Sequence, residues 1–275
     1  MNNGLQKPNS EIFGLFQRLI QEKTGIFLPE HKNTLLLNRL AKRLFAREIG
    51  SFDDYYRLIT SINEHAELDL ALELITTNET YFFREPKHFE FLRNVVLDAP
   101  NDHSQFRVWS AASSTGEEAY SVAMTLMDCC VRPWEVFASD INQSVIEQAR
   151  KGIYLDQRTT GISSEHLQQY CRKGFGAYEG HLRVVPELRN RVDFHLLNLM
   201  EPLPQNGTFD VIFLRNVMIY FEKVTQQKLL KKLSHRLKPG GWLLVGHSES
   251  LHSITDDYYQ LRPSIYRLSA HREAH

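Results

Sequence analysis

Asp140 closes an apolar run, Trp134–Asp140, and a carboxylate at such a strand end has the position of an acid that accepts from ribose hydroxyls. An earlier run, 106–110, leads into Ala111-Ala112-Ser113-Ser114-Thr115-Gly116-Glu117-Glu118 and then into a segment where Ala119, Val122, Ala123 and Leu126 share one helical face. Strand, small-residue turn and helix define a crevice beyond the carboxyl ends of a parallel sheet, where open α/β sheets bind ligands. The turn carries Gly116 alone, whereas Gly-x-Gly-x-x-Gly would supply three glycines for close backbone approach to a pyrophosphate. A phosphate-free nucleoside cofactor such as S-adenosylmethionine therefore suits this turn better than NAD. Arg215 and Asn216 end a third apolar run, 209–214, and two polar residues at the carboxyl end of a buried strand belong to a site rather than a core.

The elements that position these residues fall into two regimes. Residues 10–75 read as helices only: Ser10 can cap a helix that Gly25 ends, 31–48 is strongly periodic, Ser51 can cap a third helix, and 64–75 forms a fourth. From Phe106 onward strands and helices alternate, which predicts a parallel sheet. Further strands are expected at 192–197, 209–214 and 242–246, with a helix at 225–237 and a turn at Pro239-Gly240-Gly241. The runs 258–261 and 265–268 are joined too closely for a parallel crossover, so they must pair antiparallel. A glycine-rich stretch, Lys173 to Gly180, followed by a short strand at 182–185, predicts a small antiparallel subdomain on the sheet edge. The expected organisation is a helical domain, 1–75, a connector, 76–90 with Pro86 starting a helix, and an α/β domain, 91–275, carrying an insertion at about 172–192.

Composition narrows the class of function. With 275 residues and a net charge of −1, recognition driven by charge must come from a local patch, and nucleic acid is not favoured. The N-terminus, Met-Asn-Asn-Gly-Leu-Gln-Lys-Pro, lacks the apolar region of a secretory leader and no apolar run approaches bilayer-spanning length, so a cytoplasmic protein not inserted in a membrane is expected. Three cysteines give neither a disulfide framework nor metal-ligand spacing, and no metal is expected. In the 31–48 helix Lys32, Arg39, Arg43 and Arg47 lie near one face while Leu36, Leu37, Leu40 and Leu44 make the other. That basic stripe is either a solvated face or a docking surface for acidic helices.

Four segments in register carry a resemblance: Thr77-Asn78-Glu79-Thr80-Tyr81-Phe82-Phe83-Arg84-Glu85, the 112–118 turn, Ala138-Ser139-Asp140, and Leu214-Arg215-Asn216-Val217-Met218-Ile219-Tyr220-Phe221. Together with Gly246-His247-Ser248-Glu249-Ser250, they resemble the CheR family of chemotaxis receptor methyltransferases along nearly the whole chain. The resemblance implies a class I methyltransferase sheet with a small helical N-terminal domain and a small antiparallel β-subdomain insertion. It implies transfer of the methyl group of S-adenosylmethionine to glutamate side chains on the cytoplasmic methylation helices of chemoreceptors, leaving S-adenosylhomocysteine, by a protein expected to be a monomer. A carboxylate is ionised at pH 7, so this nucleophile needs no general base.

By the same resemblance, Asn78, Thr80 and Arg84 close over the cofactor, and Arg84 meets a carboxylate of the cofactor or of the substrate; an interdomain ion pair is the competing role for Arg84. Glu118, rather than Glu117, matches the family's cofactor contact, Asn198 and Leu199 match its adenine side, and Tyr220 faces the transferred methyl. Outside the resemblance, Asn198 reads as a turn residue, Leu199 as core and Tyr220 as a packing aromatic. Gly174, Gly176, Gly180 and Arg183 resemble the subset of the family that binds a C-terminal receptor pentapeptide, although glycines here also suit ordinary hairpin turns. Two other enzyme classes fit less well. NAD-linked oxidoreductases need the missing glycines, and nucleic-acid N-methyltransferases need an Asn/Asp-Pro-Pro-aromatic motif where Arg215-Asn216-Val217-Met218 stands. A catalytically silent protein that senses S-adenosylmethionine or docks on receptors is the alternative from another class.

Overall fold

Leu36, Leu40 and Leu44 recur at helical spacing and are fully or almost fully buried, whereas Val211, Ile212, Phe213 and Leu214 form an unbroken buried run. The first pattern builds a helix with one apolar stripe and the second a strand covered on both faces. The computed structural model describes residues 10–99 and 104–269, so the leader reading of the first eight residues lies outside them. The chain divides into two compact units, one of residues 1–77 with Tyr220–Glu222 and one of residues 78–219 and 223–275.

The helical unit contains α1 (Ser10–Thr24), α2 (Asn33–Ala46), α3 (Phe52–Ile59) and α4 (His65–Ile75), packed around Phe13, Phe16, Ile20, Leu40, Tyr55 and Ile59. Gly25 ends α1 in the left-handed conformation, and the Ser51 hydroxyl caps α3 by accepting the Asp54 N–H at 3.1 Å. The segment expected to be one helix from residue 31 opens instead as a 3-10 turn, Glu30–Lys32, and ends at Ala46. Tyr220–Glu222 joins this unit through backbone pairing: the Phe27 N–H donates to the Tyr220 carbonyl at 2.8 Å and Ile26 bridges Phe221.

Three of the four cations of the basic stripe, Arg39, Arg43 and Arg47, make hydrogen bonds inside this unit. Arg43 forks onto Glu67 with bonds of 2.8 and 2.6 Å, Tyr55 donates to the same carboxylate at 2.9 Å, and Arg47 reaches both Glu67 (3.2 Å) and Glu64 (2.9 Å). Arg39 donates to the Ile75 and Thr76 carbonyls at the end of α4. The cause is Glu67, a carboxylate only 2% exposed, which requires paired donors. Bonds from Arg43 hold its carboxyl below the ordinary value against the opposing effect of burial. Such a group contributes stability above its unfolded pKa and loses it as pH falls through the folded value. Glu67→Gln should therefore destabilise α2 and α4 by about 2 kcal/mol at pH 7, a figure kept modest because both arginines are partly solvated. The difference should close below about pH 4, as read by amide hydrogen exchange.

The second unit is built on β1 (Phe106–Ser110), β2 (Trp134–Asp140), β3 (Ile153–Leu155), β4 (Cys171–Lys173), β5 (His181–Val184), β6 (Val192–Leu196), β7 (Phe209–Leu214), β8 (Leu237–Val245), β9 (Tyr258–Arg262) and β10 (Ile265–Leu268). Its helices are α5 (Lys87–Asp98), α6 (Glu117–Cys129), α7 (Gln143–Lys151), α8 (Ser164–Tyr170), α9 (Pro186–Arg189) and α10 (Lys223–Ser234). Seven strands form one sheet in the order β6-β2-β1-β7-β8-β10-β9, parallel through β8, with β10 antiparallel to both its neighbours. This is the class I methyltransferase arrangement. Chain order reverses between β1 and β7, so the ligand crevice lies beyond Ser110 and Leu214. The smaller sheet, β3-β5-β4, is antiparallel and takes its first strand from 153–155, upstream of the insertion expected at 172–192. The Pro239-Gly240-Gly241 turn lies inside β8: its register against β7 jumps from Phe209↔Leu237 to Val211↔Trp242, and the extra residues bulge with Gly240 at φ 69°. The preceding helix accordingly ends at Ser234 rather than near 237. No helix among the described residues is long and apolar enough to cross a membrane.

Candidate active site

Register places Ser110 of β1 beside Ala138 of β2 and Phe213 of β7, and Asp140 beside Leu196 of β6, so the sequence-derived candidates after these strands share one sheet edge. Asp140 is anchored there: its Oδ2 accepts the Ser114 N–H at 2.9 Å and its Oδ1 the Asn142 N–H at 3.0 Å. Burial pushes its carboxyl pKa up, while these backbone donors oppose the shift. Each oxygen keeps acceptor capacity for a hydroxyl. The intervening loop, 111–116, is neutral, and in it Ser113 Oγ is buried without a hydrogen-bond partner. A carboxylate acceptor, an uncharged loop and an orphaned buried hydroxyl fit a nucleoside cofactor without phosphates.

Gly116 starts α6 at φ 94°, and a Cβ there would lie 2.8 Å from Ala149 Cβ and 2.9 Å from the Tyr154 hydroxyl. Neither the conformation nor the space admits a side chain, which explains the one glycine the turn retains. Gly116→Ala should lose about 2–4 kcal/mol in a denaturant melt and weaken cofactor binding with it.

Arg215 is the hub of a second cluster. Its side chain is 1% exposed, with Nη1 3.1 Å from Glu118 Oε2 and Nη2 3.2 Å from Glu85 Oε2, and Nη2 also donates to the Arg84 carbonyl. Glu118 accepts in addition from the Ser110 hydroxyl at 2.7 Å; burial raises its pKa, opposed by Arg215 and Ser110. Burial would also raise Glu85, but Arg215 and the His247 N–H hold it below the ordinary value. Glu117 lies apart from this cluster, fully buried against the Thr115 hydroxyl (2.5 Å) and Arg158 (2.9 Å). Asn216, at φ 57°, donates its N–H to Glu249, whose carboxylate also accepts from Gly246 (2.6 Å) and Ile219 (3.2 Å) and so fixes the loop after β7. Phe83, Glu85 and Ser114 likewise have positive φ, and such strain in non-glycine residues clusters at functional sites.

The connector is bound to this same unit. Asn78 lends its carbonyl to the Ser114 hydroxyl (3.0 Å), Thr80 lends its carbonyl to Arg158 (3.1 Å), and Phe83 donates its N–H to Ser121 Oγ (3.0 Å). The Arg84 guanidinium bonds the Glu79 carbonyl at 2.9 Å and sits 5.8 Å from the Tyr81 ring centroid, so within this structure its partner is a carbonyl rather than a carboxylate. Asn198 follows β6 and accepts the Met200 N–H at 2.9 Å; Leu199 is buried. Lys232 secures their loop by donating to the carbonyls of Leu199 (3.3 Å), Met200 (2.5 Å) and Glu201 (3.0 Å).

Tyr220 ends a 3-10 turn, Met218–Tyr220, and groups with the helical unit, where its ring lies 5.9 Å from the Lys32 ammonium. In the small sheet Gly174, Gly176 and Gly180 shape the β4–β5 connection and Arg183 is exposed on β5. A Cβ on Gly174 would collide with the Tyr178 carbonyl, while Gly176 and Gly180 have positive φ and open surroundings. Glu85, Ser110 and Glu249 are among the polar residues of the site that sequence reasoning did not single out. Glu85 and Glu249 stood within quoted motifs, but neither has a local signal for its distant partners.

The topology, the single-glycine turn and the anchored Asp140 define an S-adenosylmethionine-dependent class I methyltransferase. Residues 78–266 match the CheR methyltransferase SAM-binding domain and residues 11–76 the CheR methyltransferase all-alpha domain. The chain belongs to the CheR methyltransferase family. It is 42% identical to the chemotaxis protein methyltransferase of Salmonella typhimurium over 92% of this chain and 88% of that protein, and 42% identical to that of Escherichia coli over 94% and 90%. Chemotaxis protein methyltransferase 2 of Pseudomonas aeruginosa is 39% identical over 87% of this chain and 86% of that protein.

Proposed function

We propose that this enzyme methylates glutamate side chains on the cytoplasmic helices of chemoreceptors, giving γ-glutamyl methyl esters. The observation that carries the reading is similarity at 42% identity, over nine-tenths of the chain, to proteins named chemotaxis protein methyltransferases. The chemistry agrees. S-adenosylmethionine supplies an electrophilic methyl on a sulfonium; one carboxylate oxygen forms the new C–O bond as the C–S bond breaks, and both charges are neutralised.

The residues of this chain have only to bind, orient and exclude water. Asp140 takes the ribose hydroxyls, Asn198 and Leu199 flank the adenine, and Glu118, Arg215 and Asn216 line the crevice on the β7 side. Asn78, Thr80 and Arg84 cover the cofactor, with Arg84 free to exchange the Glu79 carbonyl for a carboxylate, a stronger bidentate partner. Tyr220 orients the methyl. No proton has to move, so no histidine or cysteine base is required; a drier site favours charge neutralisation, and positioning alone can be worth roughly 7–11 kcal/mol.

Residues 1–75 serve receptor recognition and 76–90 connect them to the methyltransferase domain. Lys32, Arg39, Arg43 and Arg47 contribute to receptor docking only through whatever charge their internal partners leave. Gly174, Gly176, Gly180 and Arg183 form the edge for a receptor C-terminal pentapeptide. Incubation with methyl-labelled cofactor and receptor cytoplasmic fragments should give label released by mild base. Cofactor binding in calorimetry with no transferred label would favour a silent binder. For the pentapeptide, calorimetry should register heat that disappears when Gly176 and Gly180 become valine; no heat with any receptor terminus would remove this part of the reading.

A further inference from the structure

Beside the Arg215 cluster, and sharing Glu85 with it, three side chains converge around two histidines that the proposed function does not use. Glu85, His88 and His247 bring one ligand atom each within 4.8 Å of one another. His88 is 1% exposed, packed in the core at the start of α5, and its Nε2 lies 2.7 Å from Ser264 Oγ. The Ser264 hydroxyl donates its single proton to the Pro263 carbonyl at 2.6 Å, so it can only accept from His88. The proton of the neutral ring is therefore on Nε2, and Nδ1 presents a lone pair. That lone pair faces Glu85 Oε2 at 3.4 Å, and Nδ1 is a buried atom without a hydrogen-bond partner. Two electron pairs facing each other in a buried place call for a cation between them.

We propose that Glu85 Oε2, His88 Nδ1 and His247 Nε2 form a binding site for a borderline transition-metal dication, Zn2+ in the first instance. Two neutral imidazoles, one carboxylate and a fourth position left for water are a donor set for zinc. Tetrahedral bonds of about 2.0–2.1 Å place neighbouring donors about 3.3–3.4 Å apart. The Glu85–His88 pair already has that spacing at 3.4 Å, and His247 Nε2, 3.9 Å from Glu85 Oε2 and within 4.8 Å of the His88 donor, has to draw in toward both. His247 is 54% exposed, so it can close on the ion and gives the ion its entry path. The Nε2–H bond from His88 to Ser264 supplies the outer hydrogen bond that metal-ligating histidines characteristically make.

The site also has a competitor, because Arg215 Nη2 and Nε approach the same Glu85 oxygen at 3.2 and 3.3 Å. Zinc would draw Glu85 from Arg215, so occupancy is expected to loosen the connector and to slow methyl transfer.

The test is calorimetric titration of Zn2+ into the full chain, with cobalt(II) absorption as a spectroscopic readout of tetrahedral nitrogen and oxygen ligation. It is run on a His271→Ala/His275→Ala background, because that four-residue spacing, outside the described residues, could itself hold a metal. One zinc per chain is expected, with affinity at least about tenfold weaker and the cobalt spectrum lost in His247→Ala, a surface change that leaves the core intact. His88→Gln should do the same if it folds. Absence of zinc binding at micromolar concentrations, or equal affinity and an unchanged cobalt spectrum in His247→Ala, would overturn the proposal, and neither outcome bears on which side chain the enzyme methylates.

Discussion

Arg215→Met should reduce stability by about 3–5 kcal/mol at pH 7 and turnover by about a hundredfold or more. The side chain lost is almost wholly buried between Glu118 and Glu85 and also holds the Arg84 carbonyl. Without it two desolvated carboxylates remain with no cation between them, and the connector, which carries Glu85, loses its tie to α6. The sign of the pH dependence identifies the cause. In the wild type Glu85 is held below its ordinary value, so its contribution is present above the unfolded pKa and is lost on acidification. In the variant both carboxyls rise above their unfolded values, so the folded state binds more protons and stability falls as pH increases. Arg215→Met should therefore recover part of its deficit between pH 7 and pH 5, as followed by thermal melts. Arg215→Lys should lie between the two, because an ammonium restores charge without the fork that reaches both partners. A deficit independent of pH would assign Arg215 to packing alone.

Asp140→Ala should weaken S-adenosylmethionine binding about 10- to 100-fold while leaving the rate at saturating cofactor much closer to normal. A charged acceptor contributes about 1.5–3 kcal/mol to each well-made hydrogen bond, and Asp140 offers both oxygens at the carboxyl end of β2. Part of the loss is indirect, since the Ser114 and Asn142 N–H groups lose their acceptor and the loop before α6 loosens. Asp140→Asn separates the two effects. Its carbonyl can serve one backbone donor, but its amide group confronts the other, so it should stay well below wild type despite its shape. Calorimetry with the cofactor reads both variants. Unchanged affinity in Asp140→Ala would remove this residue from the cofactor site.

The contrast between these two residues shows what was legible in the sequence. The position of Asp140 was readable because it is local: an apolar run of strand length ends in an acid, and a second such run ends in a turn with one glycine. The Ser51 cap, the helix ending at Gly25 and the terminal antiparallel hairpin were readable for the same reason. Arg215 was assigned to the crevice from its strand end, but its partner Glu85 lies 130 residues away and no local pattern links them. Glu67 was out of local reach in the same manner, since it sits 24 residues from Arg43 and the helical spacing of the basic stripe carries no sign of this partner. The glycines at 240 and 241 read as a turn because a bulge inside a strand uses the same residues. The strand at 153–155 is too short to have a period at all. His88 shows the limit most clearly: its role depends on which nitrogen bears a proton, and Ser264, 176 residues away, decides that.

The most direct measurement is peptide mapping by mass spectrometry of a chemoreceptor cytoplasmic fragment after incubation with this enzyme and trideuteriomethyl-labelled S-adenosylmethionine. The predicted result is one labelled methyl group on glutamate within a helical segment, removed by mild base and absent when Asp140→Ala is assayed at limiting cofactor. Label confined to lysine, cysteine or a chain terminus, or a receptor left unlabelled by an enzyme that demonstrably binds the cofactor, would contradict glutamate methylation as the function.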